Sequence, residues 1–186
     1  MCKTSHNTKF RMKKKGEIWV AAALYIALGI IVISVVLTAG LPLINKIEEK
    51  NTFLQSKKVM SELSDTAKTV MLQGAGSKQK VFVEIKKGEL IIDPTDGKKI
   101  LWTYRASYNP GIEEGAVIEE GDLQITNQRV GNEYEISIVT DLTGFLGSAG
   151  LRYDKEAAKK TIAGSYNLAI EHIYDETGQY LNIREI

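Results

Sequence analysis

Apolar and polar positions along the chain fall into three regimes. From Ile18 to Asn45 (IWVAAALYIALGIIVISVVLTAGLPLIN) there are 28 residues and no charge. About 20 apolar residues in helical form suffice to cross the hydrocarbon part of a bilayer, and this run would reach roughly 40 Å. From Lys46 onward the pattern becomes one-sided. Phe53, Met60, Leu63, Ala67 and Val70 recur at spacings of seven, three, four and three, while Lys50, Gln55, Lys57, Lys58, Glu62 and Lys68 fill the remaining positions. That spacing predicts an amphipathic helix, stopped by Gly74-Ala75-Gly76-Ser77, where glycine suits the C-terminal cap. Pro42 removes one helical hydrogen bond and predicts a kink, not an end, because helical patterning resumes after it. One long helix is therefore expected from about residue 18 to about 72. Beyond it the period changes to two. Residues 80–86 (KVFVEIK) and 89–93 (ELIID) read as a hairpin about Lys87-Gly88, and 99–105 as a third strand. Residues 122–130 and 133–142 read as a second hairpin about Gly131-Asn132, and 165–173 and 179–184 as a last one about Asp175–Gly178. Residues 106–116 and 143–150 read as loops, and 154–160 as a short helical turn.

These elements predict an α+β chain: a membrane-spanning then amphipathic N-terminal helix, followed by a β-rich, sandwich-like or meander head of about seven short strands. The segments are a basic leader at 1–16, an apolar helix at 17–45, an amphipathic extension at 46–73 and a head at 78–186. A buried core helix is rarely so long without a charge. A secretory signal has an apolar region of about 7–15 residues and a small-x-small cleavage site, which Leu37-Thr38-Ala39 matches poorly.

Charge gives the run a direction. Lys3, Lys9, Arg11, Lys13, Lys14 and Lys15 precede it with no acidic residue before Glu17, whereas Lys46, Glu48, Glu49 and Lys50 follow it. Basic flanks stay on the cytoplasmic side, so the N-terminus is expected inside and the head outside. The net charge of +1 hides an asymmetry: with six basic groups in residues 1–16, residues 17–186 keep 18 basic and 23 acidic groups, a net of −5. A mildly acidic outer part argues against nucleic acid as a partner. Cys2 is the only cysteine, so no intrachain disulfide forms and the head must be held by its core. It precedes the apolar run, unlike the cysteine of a cleaved lipoprotein, and reads as an incidental thiol in a leader without regular structure.

Candidate chemistry is sparse. His6 lies in the basic leader, and His172 in a predicted strand with no second histidine or cysteine to share a metal; it reads as solvent-facing or core-edge. No phosphate loop, nucleophile elbow or zinc pattern occurs. Asp93 and Asp96 flank a Pro-Gly turn, which suffices to explain them, although they are also placed to hold a weak calcium ion. Glu113-Glu114 and Glu119-Glu120 read as solvated edges that discourage strand pairing. Neither catalysis nor a cofactor or metal is expected. Within the apolar run, Ser34 and Thr38 are expected to bond to their own preceding helical turn, and Gly29, Ser34 and Gly40 would permit close helix–helix approach.

The order of parts is a resemblance in its own right. A basic leader ends in Lys15-Gly16, an uninterrupted apolar helix containing proline follows at once, then an amphipathic extension and a β-rich head. This resembles type IV pilin-like proteins, especially archaeal pilins with a class III signal peptide. The likeness is specific over residues 13 to about 72 and general over the head. It implies cleavage between Gly16 and Glu17 by a prepilin peptidase, with Lys15, Gly16 and Glu17 as the processing residues and 170 residues in the mature subunit. It also implies assembly into a surface filament through the apolar helix, with copies of the chain or other pilins as partners and membrane lipid as the storage site. The fifth position after the cut is Ala21, where many members carry glutamate; Glu17 is the acid closest to the cut. The other architecture considered is an uncleaved single-pass protein displaying its head as a binding or adhesion module.

Overall fold

A computed structural model describes residues 11–95 and 98–186, with side chains from Ile18 onward. Cys2, His6 and Asp96, and with them the first ten residues of the leader, lie outside the described residues. The order is α1 (Arg11–Gln73), β1 (Lys78–Asp93), β2 (Lys99–Ala106), β3 (Val117–Glu120), β4 (Leu123–Val130), β5 (Glu133–Asp141), α2 (Thr143–Leu146), β6 (Gly150–Tyr153), β7 (Lys160–Asp175) and β8 (Gly178–Glu185). The class is α+β, a long apolar helix followed by a strand-rich domain. The chain forms two compact units that meet between Asn45 and Lys46.

α1 starts at Arg11, inside the leader expected to lack regular structure, and runs through Pro42 without a break. Once a helix is nucleated, adding good helix formers such as Met12 and Lys13–Lys15 costs little, so it propagates backward into the basic stretch. Its far end is closed as the sequence predicts. Gly74 and Gly76 take positive φ of 90° and 93°, and the Ser77 hydroxyl lies 2.5 Å from the Val70 carbonyl and 2.7 Å from that of Gly74.

All eight strands join one sheet in the order β3-β4-β5-β2-β1-β7-β8-β6. Every pairing is antiparallel except β6 with β8. The second layer over this sheet is the helix stripe, where a sandwich carries another sheet. Phe53, Met60, Leu63, Ala67 and Val70 are all buried in one core with Val83, Leu90, Trp102, Ile138, Leu168 and Ile183. Each large side chain there contributes about 1.5–3 kcal/mol by leaving water.

The expected hairpin at Lys87-Gly88 is not formed; β1 continues through it as a bulge. Val81, Val83 and Ile85 face the core, then Leu90 and Ile92 do. The change from odd to even positions cannot occur in a regular strand. The bulge absorbs it: five steps from Ile85 to Leu90 oppose two steps from Gly164 to Ile162 on β7. The Trp102 indole N–H donates to the freed Lys87 carbonyl at 3.1 Å. Gly88 has φ +83° at this point.

Three further expectations are corrected. The strands number eight: the two expected at 80–86 and 89–93 are one, and β3 and β6, of four residues each, fall where the pattern predicts no strand. Residues 154–160 make no helix: Asp154 and Lys155 take left-handed φ of 48° and 69°, and Tyr153 bridges Glu156. The loop at 143–150 contains the single turn α2, whose Thr143 N–H donates to the Asp141 carboxylate at 2.8 Å.

Candidate functional site

The most conspicuous candidate among the described residues is the stretch of α1 from Ile18 to Asn45. Among the described residues, one helix is long and apolar enough to cross a membrane. Its best 18-residue window has a mean hydropathy of 2.8, and none of that window is buried within the protein. Trp19 is 79% exposed and even the least exposed of the large side chains there, Val32 and Leu37, are 53% exposed. A core helix of a soluble domain would show the opposite. Soluble monomers rarely expose apolar patches beyond a few hundred Å², so a surface of this kind needs lipid or another protein against it.

Two hydroxyls in this segment are satisfied within the helix, as lipid favours. Ser34 Oγ donates to the Ile30 carbonyl and Thr38 Oγ1 to the Ser34 carbonyl, each at 2.7 Å. Gly29 and Gly40 each cost about 1 kcal/mol of helix propensity relative to alanine. Nothing lies within 4 Å of a Cβ built on either, so no packing inside the chain accounts for them. Lys15, Gly16 and Glu17 also fall in α1, and their backbone is helical. A protease acting after Gly16 would first have to unwind this turn, which glycine makes cheaper than alanine would.

The head holds its charges differently. No group of three or more His, Cys, Asp or Glu among the described residues is placed to hold a metal. The Asp93 carboxylate accepts from the Thr95 N–H at 3.0 Å and the Thr95 hydroxyl at 2.6 Å, the pattern of a plain Asx turn. Glu120 pairs with Lys57, and Asp122 with Lys68. These edge acids therefore also clamp the β3–β4 hairpin to the helix. His172 is buried, with neither ring nitrogen hydrogen-bonded, on the core face expected for an inward position of β7. Its main chain does the visible work: its carbonyl accepts from Gly76 at 2.8 Å and its N–H donates to Ser77 at 3.0 Å.

On the opposite face, the Glu171 carboxylate accepts from Lys78 at 2.6 Å and from Arg184 Nε and Nη2 at 3.1 Å. Burial alone would raise its pKa; the bonds from Lys78 and Arg184 outweigh burial and hold it below the ordinary value of 4.5. A lowered carboxylate stabilises the fold above its unfolded pKa, and that contribution disappears as pH falls through the folded value. Acid unfolding followed by circular dichroism is expected to begin below about pH 4.5, and Glu171→Gln is expected to make that limb shallower.

One acid that the sequence places merely among the charges flanking the apolar run is buried. Glu49 is 6% exposed and salt-bridged to Lys87, with Nζ–Oε1 at 3.3 Å; Lys87 also reaches Glu48 at 3.2 Å. Glu49 Oε2 and the Tyr104 hydroxyl are buried without hydrogen bonds. Burial, and secondarily the charge of Glu49, push the Tyr104 pKa well above the ordinary tyrosine value. The available signal was phase: Glu49 stands four residues before Phe53, on the buried stripe.

Comparison with known protein families, with curated proteins and with solved structures gave no match.

Proposed function

We propose that this protein is a structural subunit, major or minor, of a type IV pilus-like surface filament, stored in the membrane and assembled through residues 18–45. The observation that carries the reading is the apolar segment itself: 28 uncharged residues, open to their surroundings on every side, attached to a head whose own core is already filled. A helix apolar all round is stable in lipid and equally stable among copies of itself, where packing replaces lipid contact. Transfer from membrane to filament core then carries little hydrophobic penalty. Gly29 and Gly40, which have no packing role within the chain, suit close approach of a neighbouring helix. The basic flank supports an N-terminus in the cytoplasm and a head outside. Prepilin peptidase is the processing partner in this reading, cutting after Gly16.

N-terminal sequencing of the protein from membranes and from sheared surface material tests this directly. The expected result is a chain starting at Glu17, enriched in the sheared fraction. A chain starting at Met1 and confined to membranes supports the second reading, an uncleaved single-pass protein with a binding or adhesion head. That reading is favoured by one observation, the unbroken helical backbone across Lys15, Gly16 and Glu17.

A further inference from the structure

The seam between α1 and the sheet has two unlike halves. From Met60 to Val70 its buried positions are Met60, Leu63, Ser64, Ala67 and Val70. From Lys46 to Lys57 they are Glu49, Thr52, Phe53 and Ser56. The first half is held by several large apolar contacts; the second has Phe53 alone, beside two hydroxyls and a carboxylate. Apolar area removed from water is the main source of cohesion, so the second half adheres less strongly.

The element that compensates is the β1 bulge. It turns Lys87 out of the regular alternation and presents its ammonium to Glu48 and Glu49. The bulge is itself fixed, by the Trp102 indole on the Lys87 carbonyl. Among the described residues Lys87 is the only cation paired with Glu49, whose second oxygen is buried without a partner.

We propose that Lys87 acts as a latch that holds residues 46–57 of α1 on the sheet, so that its release lets this stretch lift away as a unit while residues 60–70 stay docked. Without the ammonium, Glu49 would remain buried as an uncompensated charge, a costly state. Lifting the stretch returns that carboxylate to water and gives up one large apolar contact, that of Phe53, and the 3.0 Å hydrogen bond from Gln55 to Glu84 on β1. Once lifted, the stretch is held only by its own helical hydrogen bonds, which open far more readily without packing, and the pivot falls at Lys57, which stays tied to Glu120, just ahead of Met60.

Hydrogen exchange of the full chain in detergent micelles, read peptide by peptide, tests the latch. Lys87→Gln is expected to speed exchange at residues 48–57 by about tenfold or more and to leave residues 61–70 within about twofold of wild type. Adding Glu49→Gln, which removes the buried charge, is expected to bring residues 48–57 back to within about threefold of wild type. The proposal is overturned if Lys87→Gln leaves residues 48–57 unchanged, if it speeds both stretches alike, or if the double variant stays as fast as the single one.

Discussion

Gly88→Ala is expected to cost the head about 4 kcal/mol or more, a large part of the 5–15 kcal/mol by which domains are stable, and to leave much of the protein unfolded. Two penalties add. A left-handed φ of +83° costs an L-residue about 1–2 kcal/mol. The new Cβ would also lie 2.1 Å from the Thr103 carbonyl oxygen and 2.5 Å from Tyr104 Cβ. Neither neighbour is the free end of a side chain, so no rotamer change relieves the overlap, and β2 itself would have to move. Gly76→Ala separates the two effects. Its φ is also positive, at +93°, but nothing lies within 4 Å of its Cβ site. It is expected to cost only about 1–2 kcal/mol. Urea denaturation of the full-length variants in micelles, in a Trp19→Phe background so that Trp102 is the sole tryptophan, followed by fluorescence, measures both.

The apolar segment should respond just as strongly to charge. Arginine near the middle of a membrane span costs about 2.5–3.5 kcal/mol on insertion scales. Ile31→Arg together with Val35→Arg is therefore expected to cost about 6 kcal/mol and to move most of the chain out of the carbonate-resistant membrane fraction. Leu72→Arg alters an apolar side chain that is 80% exposed but lies in the amphipathic extension; it is expected to leave partitioning unchanged. Equal loss from the membrane in both variants would mean that residues 18–45 are not the anchor.

Periodicity decided what could be read in advance. The stripe from Phe53 to Val70 follows the helical repeat over several turns, and all five of its residues are buried. Strands β2, β4 and β5 alternate regularly and lie within a residue or two of where the pattern places them. The errors occur where the period breaks. Lys87-Gly88 looked like a turn because glycine with positive φ serves a bulge as well as it serves a hairpin. β7 extends five residues earlier than expected, because Lys160, Ala163 and Gly164 are poor local signals and the segment is recruited by pairing with β1. β3 and β6 are too short to show a period at all. At the site, length and absence of charge made residues 18–45 legible, since spanning depends on composition rather than on contacts. Glu49 and Lys87 were not legible as a pair, because they are 38 positions apart and only the bulge brings them together.

The order of manufacture differs from the order of assembly. β1 is the first strand synthesised, yet along most of its length its neighbour is β7: Lys78 pairs with Glu171 and Ile92 with Lys160. Until the ribosome has passed residue 175, the middle of the sheet is missing one side, and residues 78–85 of β1 have no partner strand. β2, β4 and β5 can zip together meanwhile, since each follows closely on the last. Nascent chains of this protein thus spend most of their translation half-built, with the oily segment at 18–45 already complete, so mooring comes early and closure comes last.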